Sequence, residues 1–169
     1  ATKYLNQSVQ FYSQNVGTYP YPHATAVSNP YGFSGAMEYP MITVIGLSGD
    51  AQSLDEVITH EVGHNWFYGI LAFNERDHVW MDEGLNSYYD HRYTQQYYEG
   101  DALNFIPDVL QGNSPMEELE AGYIFQARRY KHQAPATHSN EFENINYWLG
   151  GYEMPAVVFG HLEKYWGKE

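Results

Sequence analysis

The sequence predicts an α+β fold, mainly helical, with a small sheet early and helices after it. Three observations carry that expectation. Apolar residues recur at helical spacing over residues 2–16, a β-branched run over 41–45 closes at Gly46, and the rest is dominated by helix-period segments with start and stop signals. At 169 residues the chain fits one domain, and 1–169 reads as a single unit. Its first 50 residues hold a helix and the small sheet, and residues 51–169 are helical.

The first helix is predicted over residues 2–16, with Leu5, Val9, Tyr12 and Val16 on one face. Gly17, Pro20 and Pro22 stop it. A short strand follows over 23–28 and ends at Asn29-Pro30. The Gly-rich loop Tyr31-Gly-Phe-Ser-Gly-Ala36 leads to the second strand, Met41 to Ile45. Ser53-Leu-Asp-Glu56 has the form of a capping box, which predicts a helix from there to about Leu71. After a polar loop at 74–78, further helices are expected over 81–98, 101–111, 116–131 and 152–165. The last of these should turn Val157, Val158, Phe159 and Leu162 inward.

Composition removes several classes of function. Eight Lys and Arg against 21 Asp and Glu give a formal charge of −13, which repels phosphate backbones and anionic membranes and argues against nucleic acid as a partner. No apolar run approaches the roughly 20 residues that span a bilayer. Cysteine is absent, so thiol nucleophiles, thiolate metal sites and disulfides are all excluded. The 17 tyrosines supply apolar area with a polar tip, suited to the core and to the walls of a wet cleft. The chain begins Ala-Thr-Lys-Tyr without an initiator Met, which predicts a processed or excised piece. That start and the missing cysteines favour an extracytoplasmic setting over a cytoplasmic one.

Chemistry concentrates in His60-Glu61-Val62-Gly63-His64. Side chains four apart on a helix share a face, with β-carbons about 5–6 Å apart, so two imidazoles at that spacing reach one ion at about 2.0–2.1 Å. Glu61 points elsewhere than the chelate and suits a general base on an ion-bound water. A catalytic zinc needs a third protein ligand and an open position. Glu83 is the candidate: 18 residues, 65–82, separate it from His64, enough to finish one helix and enter the next. Asp90, on the same predicted helical face as Glu83, suits a carboxylate partner for a ligating imidazole. The other histidines (23, 78, 91, 132, 138 and 161) lack ligand spacing and read as structural.

With these residues in view, the chain resembles the aminopeptidase N and leukotriene-hydrolase family of zinc metallopeptidases, the gluzincins of family M-one. Three blocks carry the resemblance, which spans about residues 4–167. They are His60-Glu61-…-His64 with Glu83, then Gly35-Ala36-Met37-Glu38-Tyr39, and Tyr152-Glu153-Met154-Pro155-Ala156 before an apolar helix. Tyr39 stands where the family's exopeptidase motif has Asn, and Met154-Pro155 where Lys-Gly is usual. The resemblance implies a thermolysin-like catalytic core and an aminopeptidase activity on peptides with a free N-terminus. It implies one zinc ion on His60, His64 and Glu83, with Glu61 as general base and then acid. It further implies that Glu38, within the segment Gly35, Ala36, Met37, Glu38, holds the substrate's α-amine and that Tyr152 stabilises the oxyanion. Flanking domains, β-rich before and helical after, are expected in the parent chain.

Other readings share the same signature. A thermolysin-type endopeptidase would use the same zinc site without needing Glu38. A zinc-containing peptide-binding fragment would keep the metal with little turnover, because an unclosed cleft admits water. Epoxide opening is a further hydrolytic chemistry open to zinc and a tyrosine.

Overall fold

The computed structural model describes residues 1–29, 35–46, 49–98, 115–129, 132–143 and 145–167. They fall into two compact units, Ala1–Ala72 and Phe73–Glu169. Among them the architecture is mainly helical, with one two-stranded sheet, as the periodicity predicts.

In the first unit α1 (Thr2–Asn15) packs on α2 (Ala51–His64). The strands β1 (Thr25–Ser28) and β2 (Ile42–Ile45) pair in parallel, Thr25 opposite Ile42 and Ser28 opposite Ile45. The buried face of α1 is Ser8, Phe11 and Tyr12: of the predicted stripe Tyr12 is buried, Leu5 and Val9 are half-buried, and Val16 is exposed just past the helix end. Residues 8, 11 and 12 also have helical spacing. The buried polar contact of Ser8 Oγ with Thr59 Oγ (2.8 Å) turns that face toward α2. Tyr12 then stacks on Trp66, ring centroids 5.2 Å apart, beside Ile58, Val62 and Phe67. Each such buried side chain contributes roughly 1.5–3 kcal/mol.

The start of α2 corrects the capping-box reading. The cap is Asp50, whose carboxylate accepts from the Ser53 N–H at 2.8 Å, and Ser53 lies inside the first turn. A carboxylate is the stronger partner there, since it also meets the positive end of the helix dipole. That N–H bond, first among the causes, holds the Asp50 carboxyl below its ordinary range. At its other end the helix continues as a π-turn, Asn65–Ile70, reaching the predicted limit near Leu71 by a different winding.

The second unit starts with a π-turn, Trp80–Gly84, which runs into α3 (Leu85–Tyr97). After α4 (Pro115–Arg129) come a 3₁₀ turn (Ser139–Glu141) and a single turn, α5 (Asn146–Trp148), both unpredicted. A third π-turn, Leu149–Glu153, enters α6 (Met154–Trp166). The predicted helix over 101–111 lies outside the described residues.

Tyr88 of α3 packs with Ala156 and Val157 of α6, and Tyr89, Tyr123 and Phe159 lean against them. The Tyr88 hydroxyl donates to Glu163 at 2.6 Å, and burial together with that carboxylate pushes its pKa up to about 12. Val158 departs from the predicted inward set and is 42% exposed. It lies about 100° round the helix from Val157, so only one of the two can face the stripe made by 156, 157 and 160. Among the described residues no helix is long and apolar enough to cross a membrane.

Candidate active site

In the first unit the last two turns of α2 carry His60, Glu61 and His64. Ile58 and Val62 bury the opposite side of the helix, which fixes the facing of the imidazoles. Their Nε2 atoms lie 3.2 Å apart, with ring centroids at 4.8 Å and planes at 85°. Two nitrogens bound to one tetrahedral ion at 2.0–2.1 Å sit about 3.3–3.4 Å apart. The pair therefore has the bite of a zinc chelate as it stands. His64 is 1% exposed and Glu61 is buried, while His60 is half-buried and offers the accessible side.

Beside this helix runs the segment Gly35-Ala36-Met37-Glu38. Met37 exchanges two 2.9 Å backbone hydrogen bonds with Val44, which lays the segment antiparallel along β2. Ile42 N–H then donates to Tyr39 C=O at 3.1 Å, closing a tight turn over Tyr39-Pro40-Met41-Ile42. Glu38 sits between bridge and turn, and its carboxylate lies within 4.8 Å of a ring nitrogen of His64. Gly35 is exposed and Ala36 half-buried, and no side chain of theirs carries chemistry.

In the second unit Glu83 lies on the π-turn Trp80–Gly84, with Asp82 beside it, and both are buried, Glu83 to 7% exposure. Tyr152 lies on the π-turn Leu149–Glu153. These two turns pack through glycines. A β-carbon at Gly84 would run into the Pro155 ring and stand 2.8 Å from Gly151 C=O, and one at Gly151 would stand 2.6 Å from Val79 Cγ1. Pro155, where the resembling family has Gly, thus fills the space that Gly84 leaves, at a helix start that tolerates proline. The Tyr152 ring lies tilted against Trp148, centroids 4.5 Å apart, and meets Tyr147 at 5.9 Å.

Several of these features escaped the sequence reading. π-Turns widen one turn by a residue and recur at functional positions, and here they carry Glu83 and Tyr152 and follow His64. The signal for Gly84 and Gly151 was present, since a glycine inside a helical pattern implies a packing reason. Glu153, next to Tyr152, is pushed up to about 6 by burial. Of the remaining histidines, His91 is buried and held below its ordinary pKa by desolvation, with Asp90 pulling the other way. His132 lies edge-on to Tyr123, His138 caps the 3₁₀ turn and His161 meets Glu120 at 3.3 Å, all structural contacts.

A helical pair of imidazoles with Glu61 beside the first of them in sequence, and the Glu38 carboxylate near His64, is a donor set suited to a divalent metal. The Peptidase family M1 domain matches residues 1–169, and the chain belongs to that family. It is similar to aminopeptidase 2 of Candida albicans, 28% identical over 95% of this chain and 20% of that protein. Aminopeptidase M1-C of Oryza sativa is 25% identical over 96% of this chain and 19% of its own length. The chain thus spans about a fifth of the curated relatives it matches. A mutant M1 zinc metallopeptidase from Deinococcus radiodurans superposes with a TM-score of 0.71 over 99% of this chain and 34% of its own, at 15% identity, a likeness that bears on the fold.

Proposed function

We propose that the chain is the catalytic core of a zinc aminopeptidase that removes the N-terminal residue from peptides, with one zinc ion held by His60, His64 and Glu83. The observation that carries this reading is the 3.2 Å separation of the His60 and His64 Nε2 atoms, the spacing of a chelate, within a chain of family M1. Glu83 supplies the third donor from a buried turn whose backbone is locked by Gly84. Bound there, zinc lowers the pKa of a coordinated water to about 7 and polarises a carbonyl.

The chain's own residues do the rest. Glu61 accepts the proton of the attacking water and returns it to the leaving amine, a contribution of about 10²–10⁴-fold. Tyr152 donates its phenol proton in a hydrogen bond to the tetrahedral oxygen, worth about 2.7–4 kcal/mol by analogy with an oxyanion hole. Glu38 pairs with the substrate's ammonium group, so that only a chain end fits. Gly35, Ala36 and Met37 line the approach, with Met37 giving its backbone to β2.

Glu38 beside His64 favours this reading over an endopeptidase, which has no use for an anion at that place. The partners are peptides with a free N-terminus, and flanking domains of the full-length protein close the cleft over them. The deciding experiment compares a peptide with its N-acetylated twin on the full-length zinc-loaded protein. Cleavage of the free peptide alone is expected; equal cleavage of both would overturn the assignment.

A further inference from the structure

Met41 has φ = 69°, in the left-handed region where a side chain is costly. It occupies the third position of the turn Tyr39-Pro40-Met41-Ile42, with proline second and the closing bond from Ile42 N–H to Tyr39 C=O. Such a turn calls for glycine at that third position. A methionine stays there only if its surroundings hold it.

The Met41 backbone is held on both sides. Met41 N–H donates to Asn65 Oδ1 at 2.9 Å, and Met41 C=O accepts from Thr25 N–H at 2.9 Å. Asn65 is 4% exposed and is the residue after His64. Its Nδ2 donates to Val62 C=O at 2.9 Å, and its Oδ1 also accepts from the Tyr19 hydroxyl at 3.3 Å. One side chain therefore ties the histidine-bearing helix to a strained turn that starts one residue after Glu38.

We propose that Asn65 is a positioning residue: it clamps Met41 in the left-handed conformation and so fixes Glu38 relative to His64, setting the fit of the substrate's ammonium group. This rests on the aminopeptidase reading. The bond to Met41 N–H orients the turn, and the bond to Val62 C=O fixes the amide so that Oδ1 faces it. Without the clamp the turn relaxes toward negative φ and Glu38 leaves its register, while the imidazole pair remains.

The test uses the full-length zinc-loaded protein, an aminoacyl-p-nitroanilide as probe, and hydrogen exchange of the segment 37–45. Asn65→Ala should raise KM about tenfold, with kcat within about threefold and zinc content unchanged, and lower exchange protection about tenfold. Adding Met41→Gly should restore both, since glycine takes this φ unaided. Asn65→Asp, which keeps the acceptor, should hold KM nearer to the parent value. A general packing role for Asn65 would show no such rescue. Should Asn65→Ala fail to fold, Met41→Val, with Asn65 intact, should raise KM and exchange in the same way while Met41→Gly does neither. Unchanged KM and protection in Asn65→Ala, or no recovery with Met41→Gly, would overturn the clamp. If the exchange pattern holds but the parent cleaves no N-terminal residue, the clamp stands and the aminopeptidase reading falls.

Discussion

Gly84→Ala adds one methyl group where two turns of the second unit pack closely. The new β-carbon collides with Pro155 Cβ and stands 2.8 Å from both Pro155 Cγ and Gly151 C=O. Neither neighbour can swing away, because one is a ring closed on the backbone and the other is backbone itself. Bringing the closest of these, Pro155 Cβ, to ordinary contact near 3.4 Å requires the turns to separate by roughly 1 Å. Overpacking of this kind costs about 1–3 kcal/mol, and the better helix propensity of alanine returns about 1 kcal/mol, leaving a net loss of up to about 2 kcal/mol. Displacement matters more than stability here, since Glu83 precedes Gly84 and Tyr152 follows Gly151. A misplacement of about 1 Å costs on the order of 10²-fold, so a shift of this size should lower kcat by up to about 10²-fold. Zinc affinity should weaken by a similar factor. Stopped-time assays give kcat, and competition with a chelator gives the zinc Kd. Adding Pro155→Gly removes two of the three close contacts and should recover part of both. Parent-like kcat and zinc Kd in Gly84→Ala would refute the idea that glycine packing sets these two side chains.

Four other outcomes follow from the same geometry. Glu61→Gln should retain zinc, measured by metal analysis, and lose about 10²–10⁴-fold in kcat. Tyr152→Phe should lower kcat by about 10²–10³-fold with zinc content unchanged, which steady-state kinetics beside metal analysis would show. Glu38→Gln should act mainly on KM for free-amine substrates, read from the same kinetics. Glu153 gives a pH signature. Its folded pKa of about 6 exceeds the ordinary 4.5, so the folded state binds the proton more tightly. Its contribution to stability is therefore greatest below pH 4.5 and is lost as pH rises to about 6. Glu153→Gln should gain up to about 1 kcal/mol at pH 7, after discounting for solvent screening, and nothing near pH 4. Urea unfolding at the two pH values measures the difference.

Legibility followed the range of each signal. The facing of His60 and His64 was readable because an i, i+4 pair on a helix has one geometry, whatever surrounds it. The strands were readable because β-branched runs bounded by Gly and Pro have few other uses. The face of α1 was only partly legible because two stripes of helical period overlap at Tyr12, and long-range contacts such as Ser8–Thr59 select between them. The cap on α2 was misplaced by three residues because Asp50 and Ser53 both suit a cap and competition decides. The π-turns were beyond reach, since local periodicity does not announce an extra residue and the close packing at two of them, Pro155 on Gly84 and Val79 on Gly151, joins residues about 70 apart in sequence. Met41 was equally silent. Nothing near it in sequence announces a left-handed methionine, because its partner Asn65 is 24 residues away.

X-ray absorption at the zinc edge, run on the loaded full-length protein and on Glu83→Ala, meets the central proposal head-on. Two imidazole nitrogens at about 2.0–2.1 Å and a carboxylate oxygen at about 2.0–2.2 Å are expected in the parent, with that oxygen lost and affinity lowered in the variant. An identical coordination shell and affinity in Glu83→Ala would contradict it.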